Sequence, residues 1–275
     1  MLRDITLGQY FPGNSPVHRL DPRMKLILSI VYIVTVFACK TLPSFAAAAL
    51  LTVVLIALSR ISVVTILKSM KPVLFILVFT VIANIFWTTG DAPLLEFGFI
   101  KIYKEGLIYA GLMALRIVCL ILSTFVLLTY TTSPVALTDA IERLLSPLAK
   151  IGLPVHEFSM MMTIALRFIP TLLEETEKIM NAQRARGADF STGTLKQRAK
   201  ALVPVLIPLF ISAFRRAEEL AIAMECRCYT GGEGRTRMNV LHSSYRDFFG
   251  LVAAILLCLA VVLINKFAPG YSISM

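Results

Sequence analysis

The sequence predicts an all-α integral membrane protein, with about five transmembrane helices and a helix-rich cytoplasmic domain between the fourth and the fifth. Three observations carry this. Only 16% of the 275 residues are charged and 57% are hydrophobic, against about 25% charged in an average soluble domain. Several apolar runs approach or reach the roughly 17–25 residues that a helix needs to cross a bilayer. The basic residues, which bring the net charge to +10, are distributed as membrane topology requires, so no nucleic-acid partner is needed to explain them.

The first run, LILSIVYIVTVFAC at 26–39, is separated from SFAAAALLTVVLIALS at 44–59 by Lys40, Thr41, Leu42 and Pro43. One charge and one proline inside about thirty apolar residues read as two spans joined by a tight turn. The residues ahead of the first run are polar and turn-rich, and no small-residue cleavage site follows closely, so this span reads as an uncleaved anchor. The third span is VLFILVFTVIANIFWTT at 73–89, with Trp87 placed for an interface. The fourth covers about 107–129, and the fifth is FFGLVAAILLCLAVVLI at 248–264.

Arg3, Arg19, Arg23 and Lys25 precede the first span, and only Lys40 lies between the first and second. Arg60, Lys68 and Lys71 follow the second, whereas Lys101 and Lys104 after the third are offset by Asp91, Glu96 and Glu105. Fifteen Lys and Arg residues lie between the fourth and fifth spans, and Lys266 alone follows the fifth. The alternation puts the N-terminus and the long basic segment in the cytoplasm and the C-terminus outside. The expected division is 1–130 with four spans, 131–245 as the cytoplasmic helical domain, and 246–275 with the last span. Inside that domain ALVPVLIPLFISAF at 201–214 is apolar, but fourteen helical residues reach only about 21 Å, short of a hydrocarbon core of about 30 Å. Lys196, Arg198 and Lys200 flank it on one side, Arg215 and Arg216 on the other. It reads as a helix packed on protein or lying at the membrane surface, as does FSMMMTIAL at 158–166. Pro170, Pro204 and Pro208 are expected to kink the helices that hold them.

Chemistry is sparse. Of five cysteines, Cys39, Cys119 and Cys258 sit in apolar runs as small hydrophobes. Cys226 and Cys228 form C-x-C with no second pair nearby, which argues against a metal site, and no disulfide or cofactor is expected. GGEGRT at 231–236 lacks the order and the lysine of a phosphate-binding loop and follows a helix. His18, His156 and His242 are scattered without metal spacing. Glu174, Glu175 and Glu177 read as a solvated face or as a set of local pairs with Lys178 and Arg184. Within the spans Arg116 is the clear ionisable residue and Asn84 a lone amide, too few for a proton relay. An enzyme is the weaker class.

What remains is binding. NAQRARGADF (181–190) and AMECRCYTGG (223–232) are helical segments that end in an arginine between two small residues: Ala185, Arg186, Gly187 and Cys226, Arg227, Cys228. Gly187 can terminate its helix in the left-handed conformation, and a cation suits the negative end of a helix dipole. Either end alone is ordinary capping. Two such ends, in the cytoplasmic domain of a membrane protein with no nucleotide motif, favour a pair of docking knobs that meet carboxylates in a partner's groove.

Three stretches carry a resemblance. SPVHRLDPRMKL (15–26), ALRFIPTLLEETEKIMNAQRARGAD (165–189) and FRRAEELAIAMECRCYTGG (214–232) resemble the transmembrane (T) component of energy-coupling factor (ECF) transporters. The resemblance, with the span pattern, covers nearly the whole chain. It implies a coupling domain of long helices and a scaffold whose two motif-bearing helix ends dock into grooves on two ABC-type ATPase subunits. The scaffold would also hold a membrane-embedded S component that captures a vitamin or a transition-metal ion, with ATP bound by the ATPases. Carried over, the first docking motif is Ala185, Arg186 and Gly187. At the second only Arg227 matches, since Cys226 and Cys228 stand where Ala and Gly are expected. A cysteine tolerates a left-handed cap less well than glycine, so the second helix is expected to run on to Gly231. Asp21, Pro22 and Arg23 match the N-terminal signature and read as structural, with Pro22 opening a helix that Asp21 caps. Two other classes compete: a self-sufficient carrier or channel that uses Arg116 and Asn84, and a membrane-embedded enzyme.

Overall fold

The computed structural model describes residues 10–87, 93–97, 100–190, 192–232 and 245–267. Arg3, the end of the third span at 88–89, most of the 231–236 glycine segment, His242 and the C-terminal residues after Phe267 lie outside the described residues.

A single turn, α1 (Pro16–Arg19), is capped by Ser15, whose Oγ accepts from the His18 N–H. Asp21 opens α2 (Pro22–Ala38): its carboxylate accepts from the Arg23 N–H at 3.0 Å, and Pro22 takes a first-turn position whose N–H needs no helical partner. A three-residue turn leads to α3 (Leu42–Ser59), where Ser44 Oγ accepts from the Thr41 N–H at 3.2 Å and donates to the Thr41 carbonyl at 2.7 Å. Then come α4 (Val63–Trp87), which runs through Pro72, and α5 (Lys104–Thr124), which continues into a π-helical stretch, Phe125–Tyr130. α6 (Pro134–Leu145) and a 3-10 turn (Ser146–Ile151) precede two 31-residue helices, α7 (Val155–Ala185) and α8 (Leu195–Glu225), and α9 (Tyr245–Phe267) closes the chain.

Helix thus accounts for nearly all the described structure, as the sequence predicts. The addition is a small antiparallel hairpin between α4 and α5, β1 (Pro93–Phe97) and β2 (Ile100–Tyr103), with Glu96 opposite Lys101 in register. Its strands are only five and four residues long, too short for period-two alternation to stand out in the sequence.

The chain divides into two compact units, one built on residues 8–140 and 241–275 and the other on 141–240. In the first, the core joins Tyr32, Val36 and Cys39 of α2 to Phe45 and Ala48 of α3 and to Cys258 and Val261 of α9. The Tyr32 hydroxyl lies 3.1 Å from the Ala48 carbonyl and 2.5 Å from Thr52 Oγ1. Backbone groups exposed by the α2–α3 turn are met by side chains, as a lipid-facing protein requires. Arg116 Nη2 donates to the Cys39 carbonyl at 2.8 Å, and Asn265 accepts from the Lys40 N–H and donates to the Ala38 carbonyl, both at 3.0 Å. At the other end of α2, buried Lys25 donates to the Thr131 carbonyl at 2.7 Å and the His18 carbonyl at 3.3 Å.

Among the described residues five helical segments are long and apolar enough to span: Leu42–Ser59, Val63–Trp87, Gly106–Tyr130, Lys196–Glu225 and Asp247–Lys266. This set differs from the sequence-based one at two places. α2 has 17 residues, at the short limit for crossing, yet it packs among α3, α5 and α9 through Tyr32, Val36 and Cys39. The α8 segment is the least apolar of the five, with a mean hydropathy of 1.3 against 2.0 to 2.8, and five cations, Lys196, Arg198, Lys200, Arg215 and Arg216, bracket its oily centre. Pro204 and Pro208 lie inside α8, and Pro170 inside α7.

Candidate functional site

In the 141–240 unit, a polar clamp joins α7 to α8. Arg216 of α8 donates to Glu175 Oε2 and to Thr171 Oγ1 of α7, each at 3.0 Å, and its guanidinium lies 5.9 Å from the centre of the Phe168 ring. Phe168, Thr171 and Glu175 are three and four residues apart and so share one face of α7. One member of the acidic cluster therefore works across helices: Glu175 pairs with Arg216, while Arg184 instead lies against Asn181 and over the Phe190 ring. At Glu175 this corrects the expectation of a solvated face or a local pair, and a partner 41 residues away leaves no short-range mark in the sequence.

The two arginine-bearing ends have the same backbone construction. α7 ends at Ala185, and the Gly187 N–H donates to the Arg184 carbonyl at 2.9 Å while the Ala188 N–H reaches back to Gln183 at 3.0 Å. At the end of α8, the Cys228 N–H donates to the Glu225 carbonyl at 2.8 Å and the Tyr229 N–H reaches back to Met224 at 3.1 Å. Both are Schellman caps, with the sixth residue bonded to the first and the fifth to the second. Gly187 (φ 90°) and Cys228 (φ 55°) occupy the same left-handed position, so Arg186 and Arg227 are each the residue just before it.

The expectation that α8 runs on to Gly231 is thus overturned: the helix stops at Glu225, and Cys228 adopts the left-handed cap despite its Cβ. The cost of that conformation, roughly 1–2 kcal/mol for a non-glycine residue, is offset by the two backbone hydrogen bonds it closes. Beyond the cap, Gly232 passes so close to His156 that a Cβ there would run into the imidazole ring. His156 Nδ1 is in turn 3.0 Å from Glu142 Oε1.

All six predicted tip residues, Ala185, Arg186, Gly187, Cys226, Arg227 and Cys228, are exposed. Among the described residues neither Arg186 nor Arg227 makes a hydrogen bond or ion pair through its guanidinium. Each has a free cation added to the carbonyl-rich end of a long helix. Such a tip can accept a carboxylate in both charge and hydrogen-bond geometry. Counting along each helix, eleven residues separate Glu175 from Arg186, and eleven separate Arg216 from Arg227. At 1.5 Å per residue, each tip stands about 16 Å beyond the clamp along its own helix. The Asp21, Pro22 and Arg23 signature belongs to the other unit, where it forms the start of α2. Among the described residues no three His, Cys, Asp or Glu side chains gather in a way that could hold a metal ion.

Residues 13–238 match the family described as cobalt transport protein, CbiQ. That interval holds all three stretches that carry the resemblance. The chain is 53% identical to the energy-coupling factor transporter transmembrane protein EcfT of Clostridium kluyveri over 264 residues, 95% of this chain and 97% of that protein. It is 55% identical to the EcfT of Ruminiclostridium cellulolyticum, over 90% of this chain and 92% of that one. The chain belongs to the family of ECF transporter transmembrane components. The EcfT of Bacillus subtilis is likewise 48% identical over 94% of this chain and 97% of its own length. An EcfT-family protein with these apolar helices is a multi-pass membrane protein and a subunit of a transport system, not a catalytic enzyme.

Proposed function

We propose that this ECF-family chain is the passive lever of an importer. Arg186 and Arg227 seat in grooves on two ABC-type ATPase subunits. When ATP draws the two motors together, α7 and α8 move and reorient a membrane-embedded S component that has captured a vitamin or a transition-metal ion. The N-terminus and the 131–245 domain lie in the cytoplasm of a prokaryotic cell and the C-terminus outside, as the distribution of Lys and Arg argues.

The observation that carries this reading is the identity of the two caps: one backbone construction, on two separate helices, each presenting an exposed arginine without an internal partner among the described residues. A purely structural arginine would be expected to spend its guanidinium inside its own fold, as Arg116 and Arg216 do. The apolar centre of α8 supports the S-component half of the reading. Leu206, Ile207, Phe210, Ile211 and Phe214 are all more than half exposed, which is a surface suited to a membrane partner or the bilayer interface. The carrier reading gains nothing comparable, since Arg116 is engaged at Cys39 and over Phe45, and Asn84 donates to the Thr80 carbonyl of its own helix.

The test is co-purification and uptake with Arg186→Ala, Arg227→Ala and the double variant. Each single change is expected to weaken ATPase retention, and the double change to abolish it together with ATP-dependent uptake. Full retention and uptake in the double variant would sink the proposal.

A further inference from the structure

The 8–140 and 241–275 unit contains an open cleft of about 830 Å³ between α1, α2, α3 and α9, within the roughly 300–1,000 Å³ typical of small-molecule sites. Its walls are apolar and include Val54, Leu55 and Leu257, with Val54 and Leu257 about half exposed. Arg19, at the end of α1, and Arg60, at the end of α3, also line it. Both arginines are exposed, and among the described residues neither is hydrogen-bonded or ion-paired through its side chain. The acidic lining residue, Asp247, is buried and already engaged inside the fold.

Arg60 adds an independent observation. It sits in the left-handed conformation (φ 55°) that closes α3, a position that glycine fills with less strain. Its backbone N–H donates to the Ala57 carbonyl at 3.3 Å, but the cap does not use the side chain. The guanidinium is left at the point where the apolar run of a membrane span gives way to the headgroup level. An apolar slot inside a bilayer, with two free cations at its polar end, has the chemistry of a lipid whose headgroup is negative.

We propose that this cleft binds one anionic phospholipid, its acyl chain against Val54, Leu55 and Leu257 and its phosphate between Arg19 and Arg60. The site depends on the multi-pass membrane assignment and not on the docking of Arg186 and Arg227. Two arginines at an anionic headgroup correspond to about a thirtyfold preference, at roughly fivefold for each basic residue near a charged lipid surface.

The experiment is native mass spectrometry of the full-length chain in detergent, with dioleoyl phosphatidylglycerol or dioleoyl phosphatidylcholine added. The anionic lipid is expected to be retained about thirtyfold more strongly. In the Arg19→Gln, Arg60→Gln double variant the two lipids should bind alike. The Arg19→Lys, Arg60→Lys variant should keep most of the preference, and Val54→Trp should reduce retention of both lipids by filling the slot. Equal retention in the parent chain overturns the proposal, as does an unchanged preference in the Gln variant. Displacement of the lipid by soluble glycerol phosphate would show a free-phosphate site and also overturn it. Undiminished lipid retention in Val54→Trp would mean that the cleft takes something else, such as a partner's helix.

Discussion

Glu175 Oε2 and Arg216 Nη2 lie 3.0 Å apart and fasten α7 to α8 at a point eleven residues short of each arginine tip. The proposed lever needs such a fixed point. Without one, motion imposed at Arg186 would be spent in sliding α7 along α8, and motion at Arg227 would not oppose it.

Glu175→Gln and Arg216→Gln are therefore expected to uncouple without releasing. The pair is only partly exposed, with side chains 25% and 33% accessible, and an exposed ion pair contributes about 0.2–1 kcal/mol, so the fold should persist. ATPases should still co-purify, while uptake per ATP hydrolysed falls several-fold. Loss of co-purification in either variant would place the pair at the docking surface itself and contradict the lever argument.

The left-handed residues predict opposite responses to substitution. Cys228→Gly should relieve a non-glycine strain of about 1 kcal/mol and slow amide exchange at residues 228 and 229, with docking retained. Gly187→Val should do the reverse at the other tip, because a β-branched side chain is a genuine outlier at positive φ. Amide hydrogen exchange followed by mass spectrometry reads both. Faster exchange in Cys228→Gly would show that the cysteine cap is not strained.

Arg116 distinguishes scaffold from carrier. Removing its bond to the Cys39 carbonyl in Arg116→Met is expected to cost about 1.5–3 kcal/mol, the range for hydrogen bonds to charged groups, and to lower the thermal midpoint in detergent. Uptake at permissive temperature should survive. A variant that melts like the parent but no longer transports would revive the carrier reading.

Asp21 is expected to act chiefly as the N-cap of α2, beside its ion pair with Arg23 at 3.8 Å. Asp21→Ala should cost about 0.5–2 kcal/mol by losing the N-cap, whereas Asp21→Asn should cost little because an amide oxygen caps nearly as well. Thermal stability checks the pair. An Asn variant as weak as the Ala variant would mean that the carboxylate charge matters, through Arg23 or Lys25.

Membrane class, four of the spans and the first arginine-bearing helix end were legible in the sequence because each is a local property. A run of apolar residues states its own need for lipid, and Arg-Gly after a long helical segment states its own cap. The second tip was half legible. Arg227 was found, but the helix end was misplaced, because cysteine carries no left-handed preference and the position is imposed by backbone bonds from Cys228 and Tyr229. The weakly apolar α8 was ambiguous for a different reason. Its composition balances an oily centre against cations at both sides, and composition alone does not decide which of them meets lipid.

Only tertiary structure could pair Glu175 with Arg216, engage Arg116 at Cys39, or bring Arg19 and Arg60 to one cleft. These contacts join residues 41 to 77 positions apart, and the energy of such a contact depends on where two helices cross, which no stretch of either helix encodes by itself. The sequence determined which segments must leave water and which ends must carry charge. Packing decided which charges were consumed inside the fold and which remained free for a partner.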